Sequence, residues 1–266
     1  MEIKNNKKVI FIDLDGTLMT KGFKISQENI DAINLAIKND IDIVLLSGRP
    51  YKLVDYLAQK INKSIKAIGF NGAYSKNLIS KTINQELLKE ILPFLINHSQ
   101  LIMLKSNDCI YANVKPLETF VYPTSDTEKV EVVVTNELLE EVADKEIYKI
   151  LCVYRNLVDE KEIINYLEYK KLTFSAYPGR GCELVGPGVD KGFAVKEYLR
   201  YFGIELKNAY FIGDDTNDVP MFKLGGNNIV MQNGSEECKK YASFICPSVF
   251  ENGVAFAIKK IIKEKQ

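Results

Sequence analysis

Two acidic segments contain the residues of this sequence best suited to chemistry. Asp13 and Asp15 lie two positions apart, directly after the apolar run VIFI at 9–12, and the segment GDDTND at 213–218 follows the apolar run YFI at 210–212. Both apolar runs are typical of short buried strands. Side chains two positions apart along an extended chain lean to the same side. We therefore expect these carboxylates at the carboxyl edge of a parallel sheet, where α/β proteins bind ligands.

Carboxylates brought together in this way repel one another unless a cation neutralises them. The chain has one histidine, His98, which we expect at the surface of a helix, and its five cysteines form no CxxC pair. The available ligands are therefore oxygen atoms, which favour a hard ion, Mg²⁺ before Ca²⁺ or zinc. From Asp13 and Asp15 alone, the alternative that they only make a loop soluble stays open.

The elements that would position these residues predict an α/β core interrupted by a second module. Over the first eighty residues, apolar runs alternate with helical segments that begin after Ser26 and Pro50. This alternation is typical of a parallel sheet with right-handed crossovers. From Ser80, paired strands mix with helices, and the first pattern returns with a helix predicted to begin at Lys191. The third core strand is predicted at 67–70.

The predicted core consists of residues 1–82 and 183–266, and the inserted α+β cap domain consists of residues 83–182. The glycine-rich segment 179–188 is predicted to be the second linker. Four aromatic residues of the cap are expected to belong to its core: Phe120, Tyr122, Phe174 and Tyr177.

Composition excludes several classes of protein. The 266 residues include 35 Lys plus Arg and 35 Asp plus Glu, so no net charge favours nucleic acid or acidic lipid. The odd number of scattered cysteines favours reduced thiols in the cytoplasm. We expect no signal peptide, because a strand begins almost at the N-terminus, and no run long enough to span a membrane.

Four motifs in a fixed order carry a resemblance to a known family. DLDGT at 13–17, SGR at 47–49, KG at 191–192 and GDDTND resemble the haloacid dehalogenase-like (HAD) phosphohydrolases. The resemblance is closest to the Cof-type branch, which inserts a large type IIB cap between the second and third motifs. It covers nearly the whole chain, and it implies a Rossmann-like parallel-sheet core with an inserted α+β cap.

The resemblance implies roles for the acidic residues. Asp13 would be the nucleophile that becomes an aspartyl-phosphate, and Asp15 would be the general acid and then the base. Mg²⁺ would be held by the carboxylates of Asp13 and Asp214 and by the backbone carbonyl of Asp15. Asp218 would orient these ligands from behind, and Asp215 is left out because the family varies there.

The resemblance also implies a set of residues that bind the substrate phosphate: Leu14, Ser47, Gly48, Lys191 and Asn217. Asn217 is equally compatible with a role as the N-cap of a short helix. Arg49 and Asn71 follow neighbouring strands, and they either contact the substrate beyond its phosphate or are purely structural.

The favoured function is a Mg²⁺-dependent phosphatase for small phosphorylated metabolites, such as sugar, flavin or pyridoxal phosphates. An inserted cap suits a small ligand that must be closed off from water. A hexose phosphomutase of the same branch is one alternative, although no second basic pocket is evident. A non-catalytic sensor of phosphorylated ligands is another alternative. Such a sensor would be expected to lack Asp13 or Asp15, and both are present here. The sequence indicates neither the substrate nor the oligomeric state.

The acidic clusters predict a requirement for an octahedral divalent ion. Activity should vanish in excess EDTA and return with Mg²⁺, and Ca²⁺ should inhibit because its looser shell favours bidentate carboxylate binding that would engage Asp13. Released phosphate measures each case. Full activity in excess EDTA would exclude the metal requirement.

Overall fold

The structure, a computed structural model, describes residues 7–20, 24–116 and 131–263. The chain divides into a core unit, Met1–Ile79 with Asp190–Gln266, and a cap unit, Ser80–Val189. The boundaries expected at 83 and 182 lie a few residues inside this division. Phe120 and Tyr122 fall outside the described residues.

Fourteen strands run through the described part of the chain. In chain order they are β1 (Lys8–Ile12), β2 (Ile41–Leu46), β3 (Lys66–Ile68), β4 (Tyr74–Ser75), β5 (Ile79–Ser80), β6 (Ser99–Lys105), β7 (Cys109–Ala112), β8 (Glu131–Val134), β9 (Lys149–Tyr154), β10 (Phe174–Tyr177), β11 (Gly181–Val185), β12 (Ala209–Gly213), β13 (Asn227–Met231) and β14 (Phe244–Cys246).

Nine α-helices are described in the same part of the chain. They are α1 (Gln27–Lys38), α2 (Tyr51–Ile61), α3 (Gln85–His98), α4 (Leu138–Glu141), α5 (Leu157–Tyr169), α6 (Lys191–Phe202), α7 (Val219–Phe222), α8 (Glu236–Lys239) and α9 (Gly253–Lys263). Short 3₁₀ helices lie at Phe70–Gly72, Leu206–Asn208, Thr216–Asp218 and Val249–Glu251. None of the described helices is both long and apolar enough to cross a membrane.

The core unit is built on a six-stranded sheet in the order β14-β13-β12-β1-β2-β3. All five of its strand pairs are parallel, as the alternation of strands and helices predicts. Successive residues of β1 enter different apolar clusters, with Ile10 and Ile12 in one and Val9 and Phe11 in the other. This central strand is therefore covered on both faces, which explains why its sequence is apolar throughout.

The helix boundaries of the core follow from local capping. Ser26 precedes α1 and its hydroxyl accepts a hydrogen bond from the Asn29 amide at 3.2 Å. At the other side of the insertion, Asp190 precedes α6 and its carboxylate accepts from the Phe193 amide at 2.7 Å. Both side chains satisfy amides that the first helical turn leaves without partners. The cap at Asp190 fixes where α6 begins, and therefore where Lys191 lies.

The cap unit has its own six-stranded sheet in the order β10-β11-β9-β6-β7-β8. Its strand pairs are antiparallel except for the parallel pair β7–β8. Leu88 of α3 and Ile163 of α5 lie in one apolar cluster with alternate residues of the strands. Phe174 and Tyr177 are both half-buried. Phe174 packs against this cluster, as expected, whereas the Tyr177 hydroxyl donates to Glu183 at 3.3 Å.

His98 lies on a helix as expected, but only 23% of its side-chain surface is exposed. The imidazole is half-buried and stacks on Phe94, with ring centroids 4.2 Å apart. Its Nδ1 lies 2.8 Å from the Phe94 carbonyl, and its Nε2 lies 2.8 Å from a Glu162 oxygen. His98 therefore joins α3 to α5, two helices whose contact cannot be read from either segment alone.

Two further expectations need correction: the end of the third strand and the linker predicted at 179–188. The third strand ends at Ile68 rather than 70, since Phe70 has a φ of 52° that no strand accommodates. The predicted linker 179–188 contains the strand β11. Gly181 is needed there for close approach, because a Cβ on it would lie 2.1 Å from the Cys152 carbonyl oxygen.

The N-cap of α6 generates a stability prediction. Asp190→Ala should lower the free energy of unfolding by about 1 kcal/mol, because the Phe193 amide loses its partner. Asp190→Ser is the matched control, since a hydroxyl also caps and should restore most of the loss. Urea denaturation measures both, and an Asp190→Ala midpoint equal to that of the unchanged protein would contradict the assigned cap.

Candidate active site

Two neighbouring strands of the core sheet bring the acidic segments together. β1 and β12 pair in parallel, and the Asp13 amide continues the pairing by donating to the Ile212 carbonyl at 2.9 Å. Gly16 then turns the chain with a φ of +82°, and a Cβ at this position would lie 2.3 Å from an Asp214 oxygen. Only glycine permits both this turn and this approach. The structure therefore places Asp13 and Asp214 beside each other, as expected.

The Lys191 ammonium lies between two carboxylates in the interior of the site. Its Nζ is 2.6 Å from Oδ1 of Asp13 and 2.5 Å from Oδ1 of Asp218. The other oxygen of Asp218 accepts hydrogen bonds from the amides of Asp214 at 2.9 Å and Asp215 at 3.1 Å. Lys191 and Asp218 are fully buried. Asp218 is therefore occupied on both oxygens, which suits a residue that orients its neighbours.

Burial and charge shift the protonation equilibria of this cluster. Burial acts to lower the pKa of Lys191, but the charges of Asp13 and Asp218 outweigh it, so the Lys191 pKa is raised and the ammonium stays charged. Burial raises the pKa of Asp13, and Lys191 opposes that rise. Burial also raises the pKa of Asp214 to about 7, against the opposing hydrogen bond from Thr17. A further cation nearby would therefore stabilise the charged forms of these carboxylates.

The donor set fits a hard divalent ion. Carboxylate oxygens of Asp13, Asp214 and Asp218 lie within 4.8 Å of one another. Oδ1 of Asp13 is paired with Lys191, and Oδ1 of Asp214 accepts from the Thr17 hydroxyl at 2.5 Å. Among the described residues, none donates to Oδ2 of Asp13 or of Asp214. Oδ2 of Asp214 is therefore suited to an ion such as Mg²⁺, and Oδ2 of Asp13 is open to an ion or to a reacting atom.

The side chain of Asp15 lies apart from this cluster and pairs with Arg49. The guanidinium Nε is 2.6 Å from one Asp15 oxygen, and Nη2 is 2.5 Å from the other, a bidentate geometry. The Asp15 side chain is 53% exposed, whereas that of Asp13 is 6% exposed. The two aspartates of the first motif therefore occupy different environments. Arg49, expected at the substrate or in a structural role, contacts Asp15.

The expected phosphate-binding residues converge on the same edge of the sheet. The Ser47 amide donates to the Ile68 carbonyl at 3.0 Å, and its hydroxyl oxygen accepts from the Arg49 amide at 3.2 Å, so the hydroxyl hydrogen remains to be donated. The Leu14 side chain is buried in the core, so only its main chain can reach a phosphate. Asn217 Nδ2 donates to Oδ1 of Asn71 at 3.1 Å.

Asn217 is not a helix N-cap. The residue before the 3₁₀ helix Thr216–Asp218 is Asp215, whose carboxylate accepts from the Thr216 amide and takes part in a capping box with Asp218. This arrangement explains Asp215 as a structural residue. It leaves the Asn217 side chain to interact with Asn71.

Sequence reasoning missed two residues that hold the site in shape. The Thr17 hydroxyl orients Asp214 across 197 positions of sequence, and its position inside the DLDGT motif was the only available signal. Asn233 donates to the Gly16 carbonyl at 2.8 Å and accepts from the Val249 amide at 2.8 Å. Nothing in the local sequence around Asn233 indicates this contact.

The raised pKa of Asp214 generates a prediction for the metal-free protein. An unfolded aspartate titrates near pH 4, so the stability that Asp214 contributes is present below that pH and is lost as the pH rises through about 7. We expect the loss to be of the order of a few kcal/mol, and Mg²⁺ to raise the melting temperature more at pH 8 than at pH 5.

Thermal unfolding with and without Mg²⁺ at the two pH values measures this linkage. Asp214→Asn is the matched control, since the amide cannot titrate and should remove the part of the pH dependence that Asp214 contributes. An equal dependence on pH in Asp214→Asn and the unchanged protein would contradict the raised pKa of Asp214.

Comparison with known proteins identifies the family of this chain. Residues 10–258 match the family of haloacid dehalogenase-like hydrolases. A 5-amino-6-(5-phospho-D-ribitylamino)uracil phosphatase from Bacillus subtilis is 29% identical over 96% of this chain and 98% of its own length.

Solved structures show the same fold. A haloacid dehalogenase-like hydrolase from Bacteroides thetaiotaomicron superimposes with a TM-score of 0.81 at 25% identity, over 96% of this chain and 99% of that one. A sugar phosphatase of HAD subclass IIB superimposes with a TM-score of 0.80 at 22% identity, over 96% and 99%. With the family match spanning most of the sequence, the chain belongs to the haloacid dehalogenase-like hydrolases.

Proposed function

We propose that this chain is a Mg²⁺-dependent phosphatase that hydrolyses small phosphorylated metabolites through a phosphorylated Asp13. The observation that carries the proposal is the asymmetry of the Asp13 carboxylate. One oxygen is paired with the buried Lys191 ammonium at 2.6 Å, and no described residue donates to the other. A carboxylate fixed by one oxygen presents the second as a positioned nucleophile.

The first chemical step is attack of Asp13 Oδ2 on the phosphorus atom. A bond forms between this oxygen and phosphorus while the bond from phosphorus to the substrate oxygen breaks. Asp15 donates a proton to the departing oxygen. In the second step a water attacks the phosphorus atom and Asp15 accepts its proton, while the bond from phosphorus to Asp13 breaks and phosphate is released. Arg49 contacts both Asp15 oxygens in the structure, and each of these oxygens keeps a second lone pair for proton exchange.

The remaining residues bind and stabilise the transferred group. Lys191 neutralises negative charge that develops near Asp13, and the Ser47 hydroxyl donates to phosphoryl oxygens together with amides of Gly48 and Leu14. Asn217 donates through its side-chain amide.

The metal would be held by the carboxylates of Asp13 and Asp214 and by the main-chain carbonyl of Asp15. When bound, Mg²⁺ supplies positive charge that offsets the repulsion between these carboxylates and the phosphate. Asp218 would orient these ligands without binding the metal itself, since both of its oxygens are occupied by Lys191 and by backbone amides.

Small substrates are the class that we assign to the site. The Bacillus relative, aligned over almost the whole chain, is named for a phosphomonoester of a small molecule. The cap unit, expected at 83–182, would set which phosphoester is preferred, and the core would perform the chemistry. The five buried cysteines are free, which supports a reducing cytoplasm.

The roles of the two aspartates predict different products with an aryl phosphate. Asp13→Asn removes the nucleophile, so no phosphoenzyme should form. Asp15→Asn keeps the nucleophile, and an aryl leaving group needs little protonation, so phospho-Asp13 should form. Its hydrolysis should slow by about 10²–10⁴-fold, because the base for water is lost.

Intact-mass analysis after rapid quenching separates these outcomes. A phosphoryl adduct in Asp13→Asn, or one mapped to another residue, would show that the roles are assigned wrongly. Assaying a hexose phosphate for transfer to a second sugar hydroxyl, rather than release of phosphate, would identify the phosphomutase alternative. No turnover of any phosphomonoester by an intact site would instead favour the sensor.

A further inference from the structure

A strained turn lies beside the phosphate-binding loops of the core. Phe70, Asn71 and Gly72 have φ angles of 52°, 55° and 104°, three consecutive residues in the left-handed region. Asparagine and glycine tolerate this region, but a bulky residue such as phenylalanine is a genuine outlier there. Such strain persists only where the surroundings enforce it, and it is concentrated at functional sites.

The main chain of this turn fixes the loop that follows β2. The Phe70 amide donates to the Arg49 carbonyl at 2.8 Å, and the Asn71 amide donates to the Ser47 carbonyl at 3.0 Å. On its other side the turn meets the start of α6, because a Cβ on Gly72 would lie 2.5 Å from the Asp190 carbonyl oxygen. The turn is therefore held between two segments that contribute to the site.

The side chain of Asn71 connects the same loop to the acidic segment after β12. Its Oδ1 accepts the hydrogen bond from Asn217 Nδ2 at 3.1 Å. A Cβ on Gly48 would lie 2.8 Å from this oxygen, so the side-chain amide of Asn71 packs against the Gly48 main chain. Asn71 is buried, with 7% of its surface exposed. One side chain thus contacts residues from both phosphate-binding segments.

We propose that Asn71 is a positioning residue that holds the Ser47–Gly48 loop and Asn217 at the separation needed to bind one phosphate. The assignment of that ligand rests on the proposed function. The position calls for asparagine on two grounds. Its short side chain tolerates the left-handed backbone, and its amide carries no charge, whereas a carboxylate would repel an incoming phosphate.

The test is a double-mutant cycle on phosphate binding. Asn71→Gly keeps a residue suited to a φ of 55° while removing the amide, and Asn217→Ala removes its partner. Calorimetry with inorganic phosphate and Mg²⁺ gives Kd for the full-length protein and each variant, and thermal unfolding checks that each is folded. Asn77→Gly is the matched control, because Asn77 also has a left-handed φ, of 60°, but is exposed and outside the site.

We expect Asn71→Gly to raise the Kd for phosphate about 5- to 20-fold, since a hydrogen bond that aligns a donor to a charged ligand is lost. In the Asn217→Ala background the same change should raise Kd by a factor at least about 2-fold smaller, because the part of its effect that acts through Asn217 is already lost. Asn77→Gly should bind as the unchanged protein does. Asn71→Asp, which keeps the shape and the backbone preference, should weaken binding further.

An unchanged Kd in folded Asn71→Gly, or equal effects of this change with and without Asn217, would overturn the proposal. If Asn71→Gly does not fold, an unchanged Kd in folded Asn217→Ala overturns the proposal equally, because Asn71 would then hold no phosphate donor in place, and a protein that binds no phosphate at all does so too. Turnover of phosphomonoesters, assayed separately, reports on the proposed function. Weakened binding in a protein without turnover would refute that function and leave the role of Asn71 intact.

Discussion

The burial of the Lys191 ammonium between Asp13 and Asp218 is the interaction on which the rest of the site depends. The three groups come from α6, from the end of β1 and from the 3₁₀ helix after β12, and they meet with contacts of 2.5 and 2.6 Å. A buried charge without a partner is strongly destabilising. Removing any one of the three would therefore leave uncompensated charge inside the core unit.

This ion cluster also gives the carboxylates different surroundings. Both oxygens of Asp218 are occupied by Lys191 and by two backbone amides, which is why the proposed function gives Asp218 a supporting role. Asp13 and Asp214 are each fixed through one oxygen and keep the other for a ligand. Asp15 is the exposed member, and its pair with Arg49 can open without leaving a buried carboxylate. Proton exchange suits such a group better than it suits the buried ones.

Much of this arrangement could be predicted from sequence, because it depends on local signals. Apolar runs identify β1 and β12, their alternation with helices predicts a parallel sheet, and parallel strands bring Asp13 and Asp214 to one edge. The order of the four motifs along the chain indicated the family. The start of α6 at Lys191 was also predicted correctly.

The features that escaped prediction are set by distant contacts. The Thr17–Asp214 hydrogen bond joins residues 197 positions apart, and Asn233 reaches Gly16 across 217 positions. The left-handed Phe70 overrides a residue preference that favours a strand, because the surrounding loops enforce the turn. Gly181 lies in a strand for close packing rather than in a linker for flexibility, a distinction that only the neighbouring strand reveals.

The central claim is that Asp13 offers one oxygen to phosphorus beside a metal ion held by Asp214. A crystal structure with Mg²⁺ and beryllofluoride, which mimics a phosphoryl group on a carboxylate, tests it most directly. The account predicts beryllium bonded to Oδ2 of Asp13, with Lys191 still paired to Oδ1 and the ion in contact with a carboxylate oxygen of Asp214. An adduct on Asp15 or elsewhere, or an ion bound away from Asp13 and Asp214, would contradict it.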